Sequence, residues 1–272
     1  MLARPLFCMM ILLPFGSPAA APALDVQSII QRSVAATEQD FASAPQYSFR
    51  EQDHHGESSK TYEISMISGS PYRRLIAVDG RAIPTAEARK QQHLMEKAVT
   101  HRRAESREER ANRIAQYEKG QKRDRVMMRQ LVEAFDFASQ GQTRLGSYDV
   151  YVLKASPKRG YHPPNYEAAV LTGMQGTLWV DTRTFQWVKV EAHVIHPVSI
   201  DGFLARVEPG TRFELEKAPV PGGVWLPIHF AMQSHARVLD IFPHGHAEDV
   251  TYSDYKRTGP EEAKAGSENR PH

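Results

Sequence analysis

The sequence predicts a mainly β, α+β domain, in which a largely antiparallel meander carries helices at its start and near its middle. Three observations predict it. From Gln142 onward, strand-like runs bounded by Gly, Pro and Asn recur about every ten to twelve residues, as in a sandwich or barrel meander. Three shorter runs of the same kind precede residue 80. Between them, residues 85–140 show no strand pattern and are rich in Glu, Lys, Arg, Gln and Ala, which are strong helix formers.

Ahead of all these elements stands a leader pattern. Met1–Ala23 carries one positive charge at Arg4, an apolar run from Leu6 to Phe15, and Ala21-Pro22-Ala23, the small-x-small motif that signal peptidase accepts. This predicts an exported precursor cleaved near Ala23, with a periplasmic or secreted product. The run is broken by Pro14 and is shorter than the roughly 20 apolar residues of a membrane span. Cys8 is the only cysteine and lies inside it, so the remaining chain offers no disulfide, thiol nucleophile or thiolate metal ligand. The formal net charge of +2, one less without Arg4, gives no global field to recruit nucleic acid.

The expected organisation is a single domain over residues 24–258, with a helical insertion at 85–140 and a polar, aperiodic tail at 259–272. Val26, Ile29, Ile30 and Val34 recur at helical spacing behind Asp25, which predicts a capped helix over residues 25–39. Strands are expected over 47–52, 60–67 and 72–78, with Asp79-Gly80 as a tight turn. In the second of these, Tyr62, Ile64 and Met66 alternate with polar residues, so one face should be buried.

The insertion reads as two helices broken near Gly120. Its first part has few apolar residues and should be solvated, whereas Val126, Met127, Leu131, Ala134, Phe135 and Ala138 fall near one stripe. Further strands are expected at 147–155, 174–181, 185–195, 198–207, 211–217, 224–238 and 250–256, with a short helix at 166–171. If Asp181 pairs with Phe185, the hairpin sets Leu178 against Val188 and Gly176 against Val190 on a dry face. Pro227 implies an edge or a bulge, because it cannot donate to the ladder.

This order of elements resembles the LolA/LolB-like fold of periplasmic lipoprotein carriers. The stretches that carry the resemblance are Pro71-Tyr72-Arg73-Arg74-Leu75-Ile76-Ala77-Val78-Asp79-Gly80, Gly176-Thr177-Leu178-Trp179-Val180-Asp181 with Lys189-Val190-Glu191, and Gly223-Val224-Trp225-Leu226-Pro227. They look most like bacterial outer-membrane-lipoprotein-sorting-like proteins of undetermined function. The resemblance implies an incomplete antiparallel β barrel covered by helices, with acyl chains held inside. Under that expectation Leu178, Val188, Val190, Phe213, Leu215, Ile228, Phe230 and Met232 line a cavity, and Met127, Leu131 and Phe135 form the inner stripe of a lid. A lid-latching arginine of the carriers has a loose counterpart in Arg50.

These residues admit two readings. Either the apolar side chains pack one another and fill the barrel, as in a non-catalytic envelope scaffold or interaction protein, or they line a site for a lipid or lipidated partner. A third class, an enzyme, would need a polar cluster in the interior. No nucleophile elbow, HExxH or phosphate loop is present, and no cofactor is expected. The histidine groups at 54–55, 193 and 196, and 244 and 246 place no third ligand, and zinc wants three or four, so no metal is expected. Between Arg89 and Arg129 there are thirteen Lys or Arg against six Asp or Glu. That excess fits a solvated helix, or docking of Arg102, Arg103, Arg107, Arg110 and Arg113 on an anionic membrane surface.

Overall fold

The computed structural model describes residues 25–200, 205–238 and 242–258; the expected leader and the expected tail lie outside the described residues. The chain opens with α1 (Val26–Ser43), whose start is capped by Asp25: its Oδ1 accepts from the Ser28 amide at 2.8 Å. The helix is longer than expected, and its buried face is Ile29, Ile30, Ser33, Thr37 and Asp40. Small polar residues continue the stripe that the aliphatic residues begin.

A short 3-10 turn leads into three antiparallel strands, β1 (Tyr47–His55), β2 (Ser58–Ile67) and β3 (Ser70–Val78), with the two-residue β4 (Arg81–Ala82) after them. Asp79 and Gly80 have φ values of +50° and +71°, the left-handed pair a tight hairpin turn requires, as their dipeptide predicts. In β2 the expected alternation is only partly met. Ile64 is buried, while Tyr62 lies under the Arg73 guanidinium, 3.6 Å from ring centroid to Cζ.

Two helices follow, α2 (Thr85–Ala104) and α3 (Arg107–Ala134). The break falls at Glu105-Ser106, whereas Gly120 lies inside α3. The reason is a capping box: Ser106 Oγ accepts from the Glu109 amide, and the Glu109 carboxylate accepts from the Ser106 amide at 2.9 Å. A lone glycine lowers helix stability without ending a helix, so the cap decides the boundary. At one end of α3, Ile114 packs over Gly69 in the β2–β3 turn; at the other, Met128 is buried against α1 and the sheet.

The rest is strand: β5 (Phe135–Leu145), β6 (Tyr148–Pro157), β7 (Met174–Asp181), β8 (Trp187–Val194), β9 (Val198–Ile200), β10 (Ala205–Val207), β11 (Arg212–Pro219), β12 (Trp225–Val238) and β13 (Phe242–Arg257). A single-turn α4 (Tyr166–Ala169) and a 3-10 turn precede β7. All pairings are antiparallel. The main path runs β4-β3-β2-β1-β13-β12-β11-β8-β7-β6-β5, and β10 joins β12 with β9 outside it.

Its end strands, β4 and β5, do not pair with each other, so the sheet is an open, curled one rather than a closed barrel. The first strand closes against the last, Tyr47 opposite Arg257. The mainly β, helix-covered class expected from the sequence is the one observed.

Two irregularities reposition side chains. In β12, Glu216 of β11 faces His229 but the next residue, Lys217, faces Pro227, leaving Ile228 as the extra residue of a bulge at the expected proline. In β8, Trp179 faces Lys189 and Val180 faces Trp187, leaving Val188 extra. The expected hairpin register is therefore corrected: Leu178 faces Val190 and Gly176 faces Ala192.

Candidate functional site

The strand registers align two rows of side chains across one face of the sheet. One row runs Leu153, Leu178, Val190, Leu215, Phe230 and Val250; its neighbour runs Phe137, Ala155, Gly176, Ala192, Phe213 and Met232. Alternation puts both rows on the same side, where α1 and the second half of α3 lie. Ile29, Ile30 and Met128 pack there on Leu153, Leu178, Val180 and Trp187, every one of them less than a tenth exposed. Burying each large side chain contributes roughly 1.5–3 kcal/mol, so the helices are held mainly by this contact.

The packing is incomplete. Between the helices and the second row lies a cavity of about 330 Å³. Its floor is Gly176, Ala192, Phe213 and Met232, its roof Met127, Leu131 and Ile30, and its ends Phe135, Leu171 and Trp187. The lining is almost wholly apolar. On the floor, a Cβ on Gly176 would lie 2.4 Å from the Glu191 carbonyl oxygen, so this position admits only glycine without rearrangement.

Of the expected lining residues, Leu178, Val190, Phe213 and Met232 reach the cavity, together with Met127, Leu131 and Phe135. Phe135 does so as the first residue of β5, not from a helix, because α3 ends at Ala134. Leu215 and Phe230 share the face but stand farther along their row, outside the cavity lining; the Phe230 ring packs edge-on against Phe213 at 5.4 Å between centroids. Ile228, shifted by the β12 bulge, is also outside the lining. Val188, shifted by the β8 bulge, packs instead with Val150 and Trp225 in a separate cluster. Ile30, Ser33, Trp187 and Ala192 line the cavity and were not expected there. Only the spacing of Ile30, Ser33 and Thr37 on one helical face could have pointed to the first two.

The roof is fastened by polar contacts at its rim. Lys217 Nζ lies 3.5 Å from Asp40 Oδ2, both side chains less than a tenth exposed, and Gln186 Nε2 donates to the Ala36 carbonyl at 3.3 Å. Burial pushes the Lys217 ammonium down to about 8 against the pull of Asp40. The Asp40 carboxyl is raised by the same burial, with Lys217 opposing.

The five arginines expected in solvent divide. Arg103 and Arg107 are exposed. Arg102 instead donates to the carbonyls of Ile67 and Ser70, each at 2.9 Å, and of Pro71 at 3.2 Å. Arg113 donates to Ser70 Oγ at 2.7 Å and Ser68 O at 3.1 Å and pairs with the buried Glu105 at 2.6 Å. Arg110 is half-buried and reaches the Arg102 carbonyl at 3.4 Å. Carbonyls at the β2–β3 turn and the strand ends beside it accept from these guanidiniums, which carry donors and no acceptor. Arg50 pairs with the exposed Asp254 at 2.6 Å and does not latch a helix.

Among the described residues, no helix is long and apolar enough to cross a membrane. No family model matches the chain, and no curated protein matches it. Solved structures do. A DUF1329 family protein from Desulfovibrio piger is 10% identical with a TM-score of 0.31, covering 85% of this chain and 92% of its own. A LolA superfamily protein from Nitrosomonas europaea is 13% identical with a TM-score of 0.31, covering 87% and 95% respectively. A putative outer membrane lipoprotein-sorting protein domain from Vibrio parahaemolyticus is 12% identical with a TM-score of 0.28, covering 88% and 97%.

Proposed function

We propose that the protein is a periplasmic binding or carrier protein that holds an apolar ligand, a lipid or the acyl part of a lipidated partner, without chemical conversion. The observation that carries this reading is the apolar cavity of about 330 Å³ between α1, α3 and the sheet. Its volume falls at the lower end of the roughly 300–1,000 Å³ of small-ligand sites. Each methylene moved into such a space gains about 0.8 kcal/mol, so a short stretch of acyl chain suffices for useful affinity. The leader pattern at Met1–Ala23 supports the location.

The test is native mass spectrometry of protein purified gently from its host, in which a lipid adduct is expected. Leu131→Glu sets a carboxylate into the roof of the cavity and should remove the adduct while circular dichroism stays unchanged. A ligand-free mass of the unaltered protein from several mild preparations would overturn the reading.

A further inference from the structure

Beside the apolar cavity lies a second groove of about 640 Å³, between α3 and the turn that starts α4. The two share a wall, for Met127 lines both. Their chemistry differs. The groove is bordered by Lys119, Lys122 and Arg123, all exposed, with Asn165 opposite.

Gly120 sits within the groove wall, where an added Cβ would meet nothing within 4 Å. A glycine inside a helix is unfavourable relative to alanine, and packing does not call for one here. Its effect is to leave the helix backbone bare between Lys119 and Lys122. An apolar chamber thus opens beside a cationic one. Molecules with that division of character are amphiphiles with an anionic head.

We propose that the groove receives the anionic head group, carboxylate or phosphate, of an amphiphile whose chain occupies the apolar cavity. This rests on the binding reading above and adds to it the charge of the ligand. Lys119 and Lys122 supply the recognition, and Met127 marks the passage from head to chain.

The experiment titrates the full mature chain with dodecyl phosphate, laurate, dodecanol and inorganic phosphate by calorimetry. The two anionic amphiphiles should bind at least about tenfold more tightly than dodecanol, the order of discrimination one or two basic contacts supply. Lys119→Gln combined with Lys122→Gln should erase that preference, leaving dodecanol affinity and the thermal melt in place. A larger loss for dodecyl phosphate than for laurate would point to a phospholipid source, and the reverse to a free fatty acid. Equal binding of dodecanol and the anionic amphiphiles by the unaltered protein would overturn the head-group proposal and leave the cavity reading standing. So would a preference that survives the double change. Binding of inorganic phosphate as tight as that of dodecyl phosphate would overturn the link between groove and cavity. Failure of all the chain-bearing ligands would overturn the cavity reading itself.

Discussion

Lys217 of β11 and Asp40 of α1 form a buried ion pair, 3.5 Å apart, that ties the helix roofing the cavity to the sheet beneath it. Asp40 also draws on its neighbours Trp225 and Gln186, so the helix end meets the sheet through one polar node.

A buried pair is costly to break and cheap to replace. Asp40→Asn leaves an uncompensated ammonium and should destabilise the fold by about 3–5 kcal/mol, whereas Asp40→Leu with Lys217→Met should be close to neutral. Urea denaturation of both variants measures the difference. The pH dependence has a definite sign. Folded Lys217 releases its proton at about 8, against an ordinary value of 10.5, so between those values the unfolded chain holds a proton that the folded chain has lost. Stability should therefore rise with pH across that window, and Lys217→Met should flatten the rise.

Local signals in the sequence carried most of the elements. Asp79-Gly80 and the period-2 runs placed hairpins because turn and strand chemistry act over a few residues. The Ser106 to Glu109 capping box is equally local and sets the helix break, whereas Gly120, the stronger breaker by residue type, lies inside α3. What could not be read were contacts between distant segments. Val188 leaves the cavity face because a bulge lets it pack with Val150 and Trp225, and nothing near it in sequence demands that. The pairing of β1 with β13, and the use of Arg102 and Arg113 to satisfy turn carbonyls, likewise arise only when remote parts meet.

Those arginines supply the next prediction. Arg113 satisfies Glu105, Ser70 and Ser68 at once, so Arg113→Ala strands a buried carboxylate and should destabilise by about 2–3 kcal/mol. Arg103→Gln and Arg107→Gln alter exposed side chains and should stay within about 0.5 kcal/mol of the unaltered protein. Equal effects from all three, measured by chemical denaturation, would contradict the clamp at the β2–β3 turn.

Glycine gives the last prediction, because two positions should respond with opposite signs. At Gly176 an added methyl would meet the backbone of β8, 2.4 Å from the Glu191 oxygen and 3.1 Å from Ala192 Cα, neither of which can turn aside as a side-chain end would. Gly176→Ala should therefore cost about 1–3 kcal/mol and distort the cavity floor. At Gly120 the added methyl meets nothing and the backbone is already helical, so Gly120→Ala should stabilise by about 0.5–1 kcal/mol. Thermal melts of the two variants decide it: Gly176→Ala should melt below the unaltered protein and Gly120→Ala above it. A neutral Gly176→Ala would mean that β7 and β8 can part at the cavity floor.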